Sequence, residues 1–197
     1  MARGLRVREA IVRAMLDLFE EGNLLPTMAE IAKRAGVSLR ALFNHFKDNE
    51  ALISEAFRYQ EHREDSRPAI KVQPDRPLDE KIEVYAEQQS AFLEAVTPYR
   101  RSAIASEPFS REVSEGLSRA RDRTRRWLEE VFAPELAPLE PANRRKLVAM
   151  LMVASSWPSW ETLRASLQLT APNARDVMKE LLRRILLPSS AEKNSGA

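Results

Sequence analysis

TMAEIAKRAGVSLRALFNHF, residues 27–46, is the stretch on which the reading of this chain turns. Thr27 follows Pro26 and has Glu30 three residues on, the spacing of a capping box that opens a helix. Ala29, Ile31, Ala32 and Ala35 give that helix an inner face. Gly36 supplies a turn, and Ser38 caps a further helix carrying Leu39, Leu42, Phe43 and Phe46. Two short amphipathic helices joined by a tight turn form a helix-turn-helix. Ala32 is small, so the second helix crosses closely over it, and Val37 and Leu42 anchor that helix inward. The positions left facing outward are Ser38, Leu39, Arg40, Ala41, Asn44 and His45. A helix so placed fits the major groove of duplex DNA, where its first side chains meet base edges.

The flanking sequence is helical as well. Ile11, Ala14, Met15, Leu18 and Phe19 make one apolar stripe, and Gly22 ends that helix. Asp48 or Asn49 caps a helix with Leu52, Ile53, Ala56 and Phe57 inside. Residues 62–77 are polar, carry Pro68, Pro74 and Pro77, and read as a linker or a frayed helix end. Helical spacing resumes at Leu78 and holds to Pro98, with a short helix expected over 99–106. A longer helix runs from Val113 to Phe132. Two more follow, about 142–168 and 172–187, the first kinked or split at Pro158. Alternation with period two is nowhere sustained. The expected fold is all-α, with about nine helices. A three-helix helix-turn-helix domain fills residues 1–60, a helical bundle for ligand binding and dimerisation fills 61–188, and residues 189–197 form a disordered tail.

Composition excludes other chemistries. Among 197 residues there is no cysteine, so there is no thiolate metal site, disulfide or cysteine nucleophile. Two histidines, His45 and His62, are too few for a multi-histidine metal site. Five scattered glycines cannot build a phosphate loop or a nucleophile elbow. No cofactor, metal or catalytic residue is expected. The apolar run 147–154 is too short to cross a bilayer, so a cytoplasmic protein is expected, away from the membrane and with the nucleoid when DNA-bound. The formal charge is only +2, but it is unevenly spread: residues 1–47 carry +3 and the remainder −1. The positive surplus lies on the candidate DNA-binding head.

The run from Thr27 to Leu52, T-x-x-x-I-A-x-x-A-G-V-S-x-x-x-L-F-x-H-F-x-x-x-x-x-L, resembles the DNA-binding domain of TetR-type bacterial transcriptional regulators. The resemblance covers about the first 60 residues. It implies an all-helical homodimer, most readily a repressor, on a palindromic operator of double-stranded DNA. It also implies DNA-binding roles for Thr27, Ser38, Leu39, Arg40, Ala41, Phe43, Asn44 and His45. Thr27 would cap its helix beside a phosphate. Two positions depart from the family pattern. Phe43 stands where a tyrosine usually contacts a phosphate, and Asn49 where a lysine usually faces the backbone. Arg3, Arg6 and Arg8 offer compensation through an N-terminal arm. The alternative is a helical dimeric interaction module whose DNA binding has weakened.

In the second bundle, LVAMLMVA (147–154) is apolar all round and needs cover on more than one side. Leu147, Leu151, Val177, Met178, Leu181, Leu182 and Ile185 are the expected dimer interface, made by two helices packing on their symmetry mates. Tyr85, Gln88, Phe92, Tyr99, Phe109, Trp127, Met150 and Trp157 are the expected lining of a pocket for a small hydrophobic effector that releases the DNA. The alternative for each is ordinary core packing. The run Arg119, Arg121, Arg123, Arg125 and Arg126 reads as a solvated face or as a meeting point for an anionic effector.

Overall fold

The computed structural model describes residues 2–65, 72–73 and 75–187. Among them only helices, turns and coil occur, as the periodicity requires. The first four helices are α1 (Ala2–Glu20), α2 (Met28–Arg34), α3 (Leu39–Phe43) and α4 (Asn49–Asp65). Then come α5 (Leu78–Ser106), α6 (Arg111–Val131) and α7 (Ala133–Leu136), with a short 3-10 turn over Glu107–Phe109. The last are α8 (Pro141–Ala154), α9 (Trp157–Glu161) and α10 (Ala171–Leu186), with a π-helical turn at Thr162–Ser166 after α9.

The chain forms two compact units, and the division does not fall at residue 60. Among the described residues, the first unit comprises 2–65 and 96–120; the second comprises 72–73, 75–95 and 121–187. Each has its own apolar core. In the first, Ile11, Met15 and Phe19 of α1 are buried with Ile31, Leu42, Phe46, Leu52 and Ala56. Tyr99 and Ala103 of α5 and Val113 and Leu117 of α6 complete it. Phe19 and Phe57 stack with ring centroids 6.0 Å apart. In the second, Tyr85, Phe132, Leu151, Trp160, Met178 and Leu182 form the centre.

Three expectations need correction. Pro98 does not end a helix: α5 runs through it. Tyr99 and Ala103 follow one apolar face into the first core, and that packing outweighs one lost backbone hydrogen bond. Ala29 is exposed, so the inner face of α2 is Ile31 and Ala32. Within one chain, residues 147–154 are covered on one side. Val148, Leu151 and Ala154 are buried, whereas Met150 and Val153 are exposed. Pro158 takes the splitting option. Ser156 caps a new helix in which the proline sits in the first turn, where its missing N–H costs nothing. Residues 62–65 of the expected linker are helical, the end of α4; residues 66–71 and 74 of it and the tail 189–197 lie outside the described residues.

A capped recognition helix as candidate nucleic-acid interface

Local chemistry fixes both ends of α2. The Thr27 hydroxyl accepts from Glu30 N–H at 3.3 Å, and the Glu30 carboxylate accepts from Thr27 N–H at 2.7 Å. The Thr27 hydroxyl also donates to that carboxylate at 2.7 Å. These bonds hold the Glu30 carboxyl below its ordinary range. At the other end Gly36 adopts φ +68°, and Val37 N–H reaches back to the Ala32 carbonyl at 3.0 Å. That is a glycine-closed helix end, and a side chain at Gly36 would be strained. The same device closes α1, where Gly22 has φ +88° and Asn23 N–H reaches the Leu18 carbonyl.

The turn delivers the chain to Ser38, whose hydroxyl accepts from Ala41 N–H at 3.1 Å and starts α3. Leu42 is fully buried and pins the helix. Ser38, Leu39, Arg40, Phe43 and Asn44 are exposed, and Ala41 and His45 are half-buried. Leu39 is 43 % exposed and Phe43 47 %, so neither belongs to the inner face. Arg40 is exposed and has no ion pair among the described residues. An unpaired guanidinium on the first turn of such a helix is free to fork onto a guanine edge. Asp48 caps α4 by accepting from Ala51 N–H at 2.8 Å. Asn49, next to it, is half-buried, with its Oδ1 buried and lacking a hydrogen-bond partner.

The arginine arm is not what forms. Residues 2–8 are the first turns of α1, and Arg8 turns inward. Its Nη1 donates to the His45 carbonyl at 2.9 Å and its Nε to Glu55 at 3.2 Å, and its guanidinium lies 4.2 Å from the Phe46 ring centre. Partial burial alone would raise the Glu55 carboxyl; the guanidinium groups of Arg8 and Arg58 outweigh it and hold the group below its usual range. Arg13 pairs with Glu9, Arg34 with Glu21 and Lys47 with Asp48. The cations of the head that remain exposed without an ion pair among the described residues are Arg6, Lys33 and Arg40.

The expected sites of the second bundle are redistributed. Leu151, Met178 and Leu182 are fully buried in the second unit's own core, so they are corrected from interface to core. Val177 and Leu181 are exposed, and Leu147 and Ile185 are half-buried. Of the expected pocket residues, Tyr99 packs in the first unit's core and donates its hydroxyl to Glu20. Phe109 also belongs to the first unit and is 80 % exposed; Met150 is 42 % exposed on α8. Tyr85, Gln88, Phe92, Trp127 and Trp157 stay together in the second unit, where Phe92 and Trp127 meet edge to face. Gln89, missed in the sequence, is 1 % exposed and donates to the Ser155 carbonyl at 2.9 Å. Neither its Oε1 nor the Tyr85 hydroxyl makes a hydrogen bond of normal geometry among the described residues. Arg119 forks onto Glu61 at 2.7 and 2.8 Å, and Arg121, Arg125 and Arg126 are exposed.

Residues 11–56 match the family model of bacterial regulatory proteins, tetR family. No curated protein matches the chain. The matched span runs from the first buried residue of α1 into α4 and so contains the whole capped helix pair. The chain carries the DNA-binding domain of the tetR family and is a DNA-binding transcriptional regulator, not an enzyme. Among the described residues no helix is long and apolar enough to cross a membrane.

Proposed function

We propose that the protein is a repressor that binds a palindromic operator as a homodimer and releases it when a small, largely hydrophobic effector occupies the second unit. The observation that carries this reading is the exposed row Ser38, Leu39, Arg40, Phe43 and Asn44 on a helix capped at its start and pinned by Leu42. Thr27, Ala41 and His45 flank that row and complete the DNA-binding set. One such head covers a single half-site. Reading two half-sites about one helical turn apart requires two heads.

The second copy fits the face of α8 and α10. Met150 and Val153 on one helix and Val177 and Leu181 on the other are exposed apolar side chains at helical spacing. Leu147 and Ile185 border them. Packed on its symmetry mate, this face makes a four-helix interface. A dimer spanning two successive major grooves competes with polymerase for the same duplex, which favours repression. The effector reading is supported by the buried Gln89 Oε1, which has no hydrogen-bond partner among the described residues and lies in the same unit as the Phe92–Trp127 pair, because buried polar atoms ordinarily have partners. The effector acts by preferring a conformation whose heads do not match the operator.

The exposed Phe43 and the uncharged Asn49 favour a second reading, an interaction module with weakened DNA binding. Selection of duplexes from a random-sequence pool separates the two. The repressor reading predicts enrichment of an inverted repeat. Absence of enrichment at low salt, with a folded dimer, would favour the module.

A further inference from the structure

Arg8 does more than fold α1. Its guanidinium joins three elements: α1, the turn that ends α3, and α4. A helix of five residues cannot hold its own orientation, since one turn barely repays its nucleation. Ser38 fixes the start of α3 and Leu42 its inner side. Just beyond its far end, the His45 carbonyl accepts from Arg8 at 2.9 Å. Glu55, also bound by Arg58, accepts from the same guanidinium at 3.2 Å. The Phe46 ring supplies a face for the cation.

We propose that Arg8 is a positioning residue for DNA recognition: it holds the end of α3 against α1 and α4, so that Ser38, Leu39 and Arg40 enter the groove at a fixed angle, and it does not itself touch the DNA. This rests on the reading of α3 as the groove-entering helix. It assigns Arg8 the opposite role to an N-terminal arm, whose arginines would reach phosphates or the minor groove.

The test uses the full chain and a duplex selected from a random pool by the wild type. Arg8→Lys keeps the charge but has one ammonium in place of a fork. Arg8→Met keeps the apolar stem, which faces Leu5 and Val12 in an open groove of about 580 Å³ and so leaves no enclosed void. Glu55→Gln removes a negative charge, which by electrostatics alone would strengthen DNA binding. Affinity is measured over a salt series, on the fraction that binds in a stoichiometric titration, so that loss of folded protein does not count.

Both Arg8 variants are expected to bind about tenfold more weakly at every salt concentration, with an unchanged salt slope. Glu55→Gln is expected to bind more weakly, against the sign of its charge change. Wild-type affinity in Arg8→Lys, a shallower slope in Arg8→Met, or tighter binding by Glu55→Gln would overturn the proposal. A wild type that enriches no duplex would instead overturn the reading of α3, so the two failures are distinguishable.

Discussion

Replacing Phe43 by tyrosine adds one hydroxyl where the chain departs from its family's pattern. The ring is 47 % exposed on α3, so the new oxygen enters solvent and displaces no packing. The resemblance places a DNA phosphate at that point. A net hydrogen bond is worth about 0.5–1.5 kcal/mol, and the phosphate's charge favours the upper half of that range. Two heads double the gain to roughly 2 kcal/mol, or about 30-fold in affinity. The hydroxyl is neutral, so the slope of log affinity against log salt should stay at its wild-type value. Fluorescence anisotropy with a selected duplex, between roughly 50 and 200 mM salt, measures both quantities. Thermal stability should not change. Equal or weaker binding by a fully folded Phe43→Tyr protein would refute the placement of this side chain against the DNA backbone.

Asn49→Lys supplies the other missing contact and should behave differently, tightening binding at low salt and steepening the slope by about 0.9 per head. It also removes a buried acceptor that has no partner, so the variant should be no less stable in a thermal melt. Val153→Glu with Leu181→Glu places charges on the face of α8 and α10. Sedimentation should then read 22.5 kDa against twice that for the wild type, and operator binding should fall. Tyr99 gives a pH signature: burial, then its bond to Glu20, pushes the phenol up to about 12. A folded-state value above the unfolded one, about 10, gives stability that is full below pH ~10 and lost as pH rises through the folded value. Tyr99→Phe should therefore lose less stability than wild type in denaturant titrations across that window, and an identical alkaline loss would contradict the assignment.

The DNA-binding head was legible because its signals are local. The capping box at Thr27 and Glu30, the left-handed Gly36 and the serine cap at residue 38 each depend on neighbours within four residues, and all three form as read. The second bundle was less legible because period alone does not say which apolar face meets the chain's own core. Leu151, Met178 and Leu182 share stripes with Met150, Val177 and Leu181, and only packing separates buried from exposed. The course of α5 through Pro98 was hidden for a related reason: the residues that hold it, Tyr99 and Ala103, pack into a core made mostly of the first 57 residues. Arg8 carries no sequence signal of its role, since its partners are 37 and 47 positions away.

The central claim is that α3 reads base sequence through its exposed row. Duplex selection run in parallel with the wild type and with Arg40→Ala tests it most directly. The wild type is expected to enrich an inverted repeat. The variant is expected to lose preference at one base pair in each half-site, at a cost of about 1–3 kcal/mol per position. Identical preferences for the two proteins, or none for the wild type, would contradict it.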